Sequence, residues 1–141
     1  MVNRLTPLNA AYLLSLETYI QAGWESMSVC ALVELSSSRF SRLRERVAEN
    51  PRTPITILAR LASDRCPDVR LAIAENVNAP AGLLNILADD DDPDVRYGLA
   101  ENSRLPAGIL ERLANDSNPY VACRASWTLA RMRQLQNLWA A

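Results

Sequence analysis

Apolar residues recur in one set that steps by one and then by three. Ile57, Leu58, Leu61 and Ala62 form it, then Leu83, Leu84, Leu87 and Ala88, then Ile109, Leu110, Leu113 and Ala114, each set one constant step after the last. An i, i+1, i+4, i+5 set is a helical stripe and not a strand alternation. A second stripe follows each one: Val69, Ile73 and Ala74, then Val95, Leu99 and Ala100. Prolines punctuate both. Pro54, Pro80 and Pro106 start the first stripe; Pro67, Pro93 and Pro119 start the second, where a missing N–H costs a helix nothing. Asp68 and Asp94 next to these prolines suit the positive end of a helix dipole. Asn76 and Asn102 close the second stripe, a residue type that tolerates the left-handed conformation common at helix ends. Ala74 and Ala100 are small enough for helices to approach closely. A constant period of this kind is the signature of a stacked array of two-helix units.

The pattern divides the chain. Residues 28–53, 54–79, 80–105 and 106–131 are four units of one period each, the first degenerate, with Leu32, Leu35, Leu43 and Arg44 in register but Ser38 in place of Asp. Residues 1–27 lie outside the period. Thr6-Pro7, then Leu8, Tyr12, Leu16 and Tyr19, and Gly23 as a stop, predict one helix that caps the first unit. In the last unit Ala122 stands where Arg is expected, and Ser126-Trp127-Thr128 replaces Ala-Glu-Asn. With the stop gone, the final helix is expected to run through 132–141, to about Trp139, and to cover the last layer with Trp127, Ala130, Leu135, Leu138 and Trp139. The fold class is therefore all-α: one α-solenoid domain of about four repeats with capping helices at both ends.

Composition narrows the function. There is no His, which removes the commonest general base and metal ligand. Cys30, Cys66 and Cys123 are scattered, with no C-x2-C pair, so no zinc site or disulfide framework is expected. Net charge is −1, and all 15 basic residues are Arg. No signal pattern or membrane-length apolar run is present, so a soluble, reducing, cytoplasmic setting is expected. The run Asp89–Asp92 with Asp94 invites a calcium reading, but it lacks the Gly and the distal Glu of such a loop. No enzyme and no cofactor is expected.

Leu61-Ala62-Ser63-Asp64, then Val69-Arg70, then Ala74-Glu75-Asn76, with the loop Asn50-Pro51-Arg52-Thr53-Pro54, closely resemble the leucine-rich repeat variant family of bacteria. The Asp-x4-Val-Arg spacing also looks like the core of HEAT repeats. The resemblance spans about 28–131. It implies a right-handed superhelix of paired short helices and a protein-interaction role. Some relatives carry a four-Cys iron–sulfur module before the repeats; this chain lacks that cluster, so the cofactor is not carried over.

Four groups of residues are candidates for structural or binding roles. Asp64 with Arg70, and Asp90 with Arg96, are expected to form a ladder that fixes the stacking, since an Arg fork meets a carboxylate and backbone carbonyls together. Glu49, Glu75 and Glu101 recur once per unit; they are either solvated helix ends or an acidic stripe for a basic partner. The position after Val-Arg varies: Glu45, Leu71, Tyr97 and Cys123, followed by Arg46, Ala72, Gly98 and Arg124. In HEAT-like superhelices that second helix lines the concave face. Leu71 and Tyr97 are then either an exposed apolar anchor, flanked by Glu75, Glu101 and Arg46, or residues packed on an adjacent helix. Lastly, Arg39, Arg42, Arg44, Arg46, Arg52, Arg60 and Arg65 concentrate in the first half.

The reading is thus a non-enzymatic scaffold that binds a protein or peptide on the face of the second helices. The alternatives are nucleic-acid binding through the Arg-rich half, and a structural or assembly subunit.

Overall fold

The computed structural model describes residues 27–140; the expected N-terminal capping helix lies outside them. Eight α-helices follow: α1 (Val29–Leu35), α2 (Ser41–Glu49), α3 (Ile55–Leu61), α4 (Pro67–Glu75), α5 (Ala81–Leu87), α6 (Pro93–Glu101), α7 (Ala107–Leu113) and α8 (Pro119–Ala140). No strand occurs among the described residues. Helix starts recur at one constant step, Ile55, Ala81 and Ala107 in one series and Ser41, Pro67, Pro93 and Pro119 in the other, so the period of the sequence is the period of the fold.

The helices alternate in length and in place. Odd-numbered helices have seven residues and follow a proline or serine N-cap; α2, α4 and α6 have nine, with proline at the first helical position of α4 and α6. The even-numbered helices stack directly on one another, α2 on α4, α4 on α6 and α6 on α8, while the odd-numbered helices do not approach each other as closely. The reason is in the side chains. Ala48, Ala74 and Ala100 are fully buried within this stack, along with Val69, Ile73, Val95 and Leu99. Alanines let backbones approach; the odd-numbered helices bury Ile57, Leu58, Leu61, Leu83, Leu84 and Leu87 instead. One continuous core results, built from the two stripes of the sequence.

Two expectations need correction. Asn76 and Asn102 do not adopt the left-handed conformation; both are extended, at φ −66° and −77°, and no described residue has a positive φ. The side chain closes the turn instead. Asn76 Oδ1 accepts from Asn78 N at 2.8 Å, and its Nδ2 donates backwards to Ala48 O at 2.6 Å and Asn50 O at 3.1 Å. Asn102 Nδ2 donates in the same way to Ala74 O, at 3.2 Å. These bonds satisfy helix-end carbonyls that would otherwise lack partners. In the last layer Thr128 stands at this position; its hydroxyl donates to Ala100 O at 2.6 Å. The substitution deletes the helix stop and keeps the link to the previous layer.

The second correction concerns α8. Val121, Ala125, Thr128 and Leu129 are buried, and Met132 is half-buried against the core. Trp127, Ala130, Leu135 and Leu138 are exposed, so they do not cover the last layer; the Trp139 side chain lies outside the described residues. The helix continues along its own axis beyond the core.

Candidate functional site

The turns that join the odd-numbered helices to the even-numbered ones carry an ion-pair ladder. Arg70 Nε and Nη2 donate to Asp90 at 2.7 and 2.8 Å, and Nη1 donates to Asp64 O at 2.7 Å. Arg96 repeats this with Asp116 (2.7 and 3.0 Å) and Asp90 O (2.6 Å). Arg44 does so with Asp64 (2.6 and 2.8 Å) and Ser38 O (2.8 Å). The expected pairs Asp64–Arg70 and Asp90–Arg96 are therefore not ion pairs. Within its own layer's turn each Arg touches backbone carbonyls and no carboxylate, and its fork turns to the carboxylate 20 residues ahead, in the next layer.

Each acceptor carboxylate also closes its own turn, taking the amide of Cys66 (2.9 Å), Asp92 (2.9 Å) or Asn118 (2.8 Å). Arg44 holds the Asp64 carboxyl below the usual carboxylate range, and Arg96 does the same for Asp116. Burial pushes Asp90 up, but Arg70 and the Asp92 amide together outweigh it and the net direction is down. Arg44 and Asp116 were missed as ladder members, although both lie in register with the residues singled out.

The ladder stops cleanly. A first-layer acid would have no preceding Arg, and the chain has Ser38 there. In the last unit the Arg position holds Ala122.

The variable positions on the even-numbered helices separate into two kinds. Leu71 is half-buried and seated on Gly98, where an added Cβ would lie 2.1 Å from Leu71 Cδ1. It is therefore a packing residue, and the absent side chain at 98 makes its seat. Tyr97 is open, at 36% exposure. It does not pair with Leu71 in an anchor. Its neighbours are Tyr120, Cys123, Arg124 and Trp127, which share with it a groove of about 300 Å³. Tyr120 is 76% and Trp127 53% exposed. The Arg124 guanidinium sits 5.0 Å and that of Arg131 5.7 Å from the Trp127 ring centroid. Tyr120 occupies the position of Asp68 and Asp94, so a broken repeat was the sequence signal for it.

The glutamates form a line beside this surface. Glu49 pairs with Arg46 at 2.5 Å, and Glu101 with Arg124 at 3.0 Å. In the middle layers the Arg position holds Ala72 and Gly98, and Glu75 has no guanidinium within ion-pair distance among the described residues. Partial burial, then the charges of Glu49 and Glu101, push the Glu75 carboxyl up. Glu75, Glu101, Leu84 and Gly98 line a groove of about 460 Å³. Of the partner-binding candidates, Tyr97, Glu75 and Glu101 face solvent. Arg46 is half-buried against Glu49, and Leu71 belongs to the packing.

The acidic turn is likewise committed. Asp90 holds Arg70, and Asp92 caps α6 by accepting from Asp94 N at 2.9 Å. No helix among the described residues is long and apolar enough to cross a membrane.

Comparison with curated proteins and with solved structures finds no match. Comparison with family models matches residues 42–103 to the Leucine Rich Repeat Variant domain. That span holds α2 through α6, the rung from Arg44 to Asp64, the rung from Arg70 to Asp90, and the asparagine bonds of Asn76 and Asn102. Over residues 42–103 the chain is thus similar to the Leucine Rich Repeat Variant domain.

Proposed function

We propose that the protein is a non-enzymatic interaction module that binds a protein or peptide along the face of its even-numbered helices, with Tyr97, Tyr120 and Trp127 as the anchor. The array is read as a right-handed superhelix of four repeats, 28–53, 54–79, 80–105 and 106–131, forming one domain in the cytoplasm. The observation that carries the reading is the exposure of three large aromatic rings around one groove. Exposed aromatics with a polar handle concentrate at binding cores, where they contribute most of the affinity. The surroundings fit such a core. Arg124 and Arg131 flank Trp127, Arg124 also pairs with Glu101, and mixed charge around an apolar centre is the usual rim.

Nucleic-acid binding through the Arg-rich half draws less support, because Arg44 is engaged by Asp64 and Arg46 by Glu49. The test is affinity selection from the source lysate, with the wild-type chain beside Tyr97→Ser/Trp127→Ser. Both rings are exposed, so the variant should keep its melting temperature and lose the partner. A partner retained in full by the folded variant refutes this face.

A further inference from the structure

The turn edge, opposite in character to the aromatic groove, carries a second feature. Between the turn 36–40 and the turn 62–66 lies a groove of about 500 Å³, lined by Ser36, Ser37, Ser38, Arg39, Arg60 and Arg65, with the Arg44–Asp64 rung beneath them. Arg39, Arg60 and Arg65 are exposed, and none forms an ion pair among the described residues. Two of them are nevertheless held. Arg60 Nη2 donates to the Ser36 hydroxyl, which is buried and itself donates to Val33 O at 2.5 Å. Arg39 lies over the Phe40 ring, 4.7 Å from its centroid.

This combination occurs in one layer only. One period on, Arg39, Arg60 and Arg65 become Arg65, Ile86 and Asp91, and Ser36 becomes Ala62. The rule that empties the end of the ladder also helps here: Ser38 in place of Asp removes the carboxylate that would neutralise the groove.

We propose that this groove is a binding site for a phosphate monoester, carried as phosphoserine or phosphothreonine on a partner protein. Three guanidiniums and the hydroxyls of Ser37 and Ser38 offer more donors than the two oxygens of a carboxylate can accept. A phosphate dianion presents three terminal oxygens and pairs with Arg forks in bidentate fashion. The charge pattern along the edge selects a discrete phosphate over a polynucleotide. The next turn, Asp89–Asp92, is one layer away, about 10 Å for packed helices, and its carboxylates repel a continuous phosphate backbone following the same edge.

The test is a ¹⁵N–¹H NMR titration with a degenerate phosphoserine peptide pool, the same pool unphosphorylated, and a ten-residue oligothymidylate. The expected result is saturable shifts of the amides of 36–39 and 60–65 with the phosphorylated pool alone. Arg39→Gln/Arg65→Gln removes no ion pair among the described residues, so it should keep its melting temperature and weaken that binding at least tenfold. Arg112→Gln, an exposed arginine two layers away, should leave it unchanged. Equal shifts with the unphosphorylated pool, no shifts at all, or a folded double variant that binds as well as wild type each overturn the site. Tighter binding of the oligothymidylate overturns the phosphoprotein assignment in favour of nucleic acid.

Discussion

Arg70 and Asp90 meet through two parallel hydrogen bonds across a layer boundary, with side chains 14% and 7% exposed. The pair joins α4 to the turn before α6, so it couples neighbouring layers and not the two helices of one. Arg70→Ala leaves the Asp90 carboxylate buried without its cation, and breaking one side of such a pair costs about 3–5 kcal/mol. Replacing both by apolar residues of similar volume, Arg70→Met with Asp90→Leu, should recover most of that loss. Urea denaturation of the two variants checks this; equal loss in both would mean that the bonds to the Asp64 carbonyl and the Asp92 amide dominate.

Asn76 and Thr128 tie the layers on the opposite edge. Thr128→Val keeps the shape and strands the Ala100 carbonyl, at about 1–3 kcal/mol for a buried acceptor without a partner. Thr128→Ser should be nearly silent. Melting temperatures distinguish them, and similar losses for both would place the effect in packing.

Acid should unfold the array through the ladder. Asp64, Asp90 and Asp116 all have folded-state pKa values below their usual range. Their stabilisation is therefore present above the unfolded carboxylate pKa of about 3.9, and is lost as pH falls through the lowered values. Glu75 has the opposite sign. A raised pKa favours the protonated form in the folded state, so its penalty appears as pH rises through that value. Glu75→Gln should stabilise the fold slightly at pH 7, by less than about 1 kcal/mol for so exposed a group, and not at pH 3, as chemical denaturation at the two pH values reads. A gain at pH 3 equal to that at pH 7 would exclude the charge as its origin.

Leu71 and Gly98 form a knob and its seat. Gly98→Ala gains helix propensity, about 1 kcal/mol, but forces Leu71 from its place, so the single change should be close to neutral. With Leu71→Ala already present the seat is empty, and the same change should stabilise by about 1 kcal/mol. A double-mutant cycle by chemical denaturation reads the difference; identical effects in the two backgrounds would show no contact.

Most of the scaffold was legible in the sequence because repetition averages out ambiguity. A single short stripe such as Ile57-Leu58-Leu61 is weak evidence for a helix; three in register fix the element, its partner and its buried face. What failed was everything that depends on direction between layers. Asp64 and Arg70 belong to one short motif, and nothing local says that the Arg fork reaches forward to Asp90. The same blindness left Leu71 open between surface and packing, since its seat is an absence at residue 98 on another helix. The aromatic groove lies where α8 departs from the pattern, and Tyr120 shows in the sequence only as a break at the position of Asp68 and Asp94.

The way the ladder ends has a consequence for how such an array changes length. Each arginine and its aspartate belong to different layers, and Ser38 and Ala122 act as end groups that leave neither charge unmatched. Duplicating or excising one whole period from the interior therefore adds or removes one complete pair. Joining units beyond either end group cannot form a further Arg–Asp pair across that junction. Growth by internal insertion is electrostatically neutral, and growth by end-to-end fusion gains no such link.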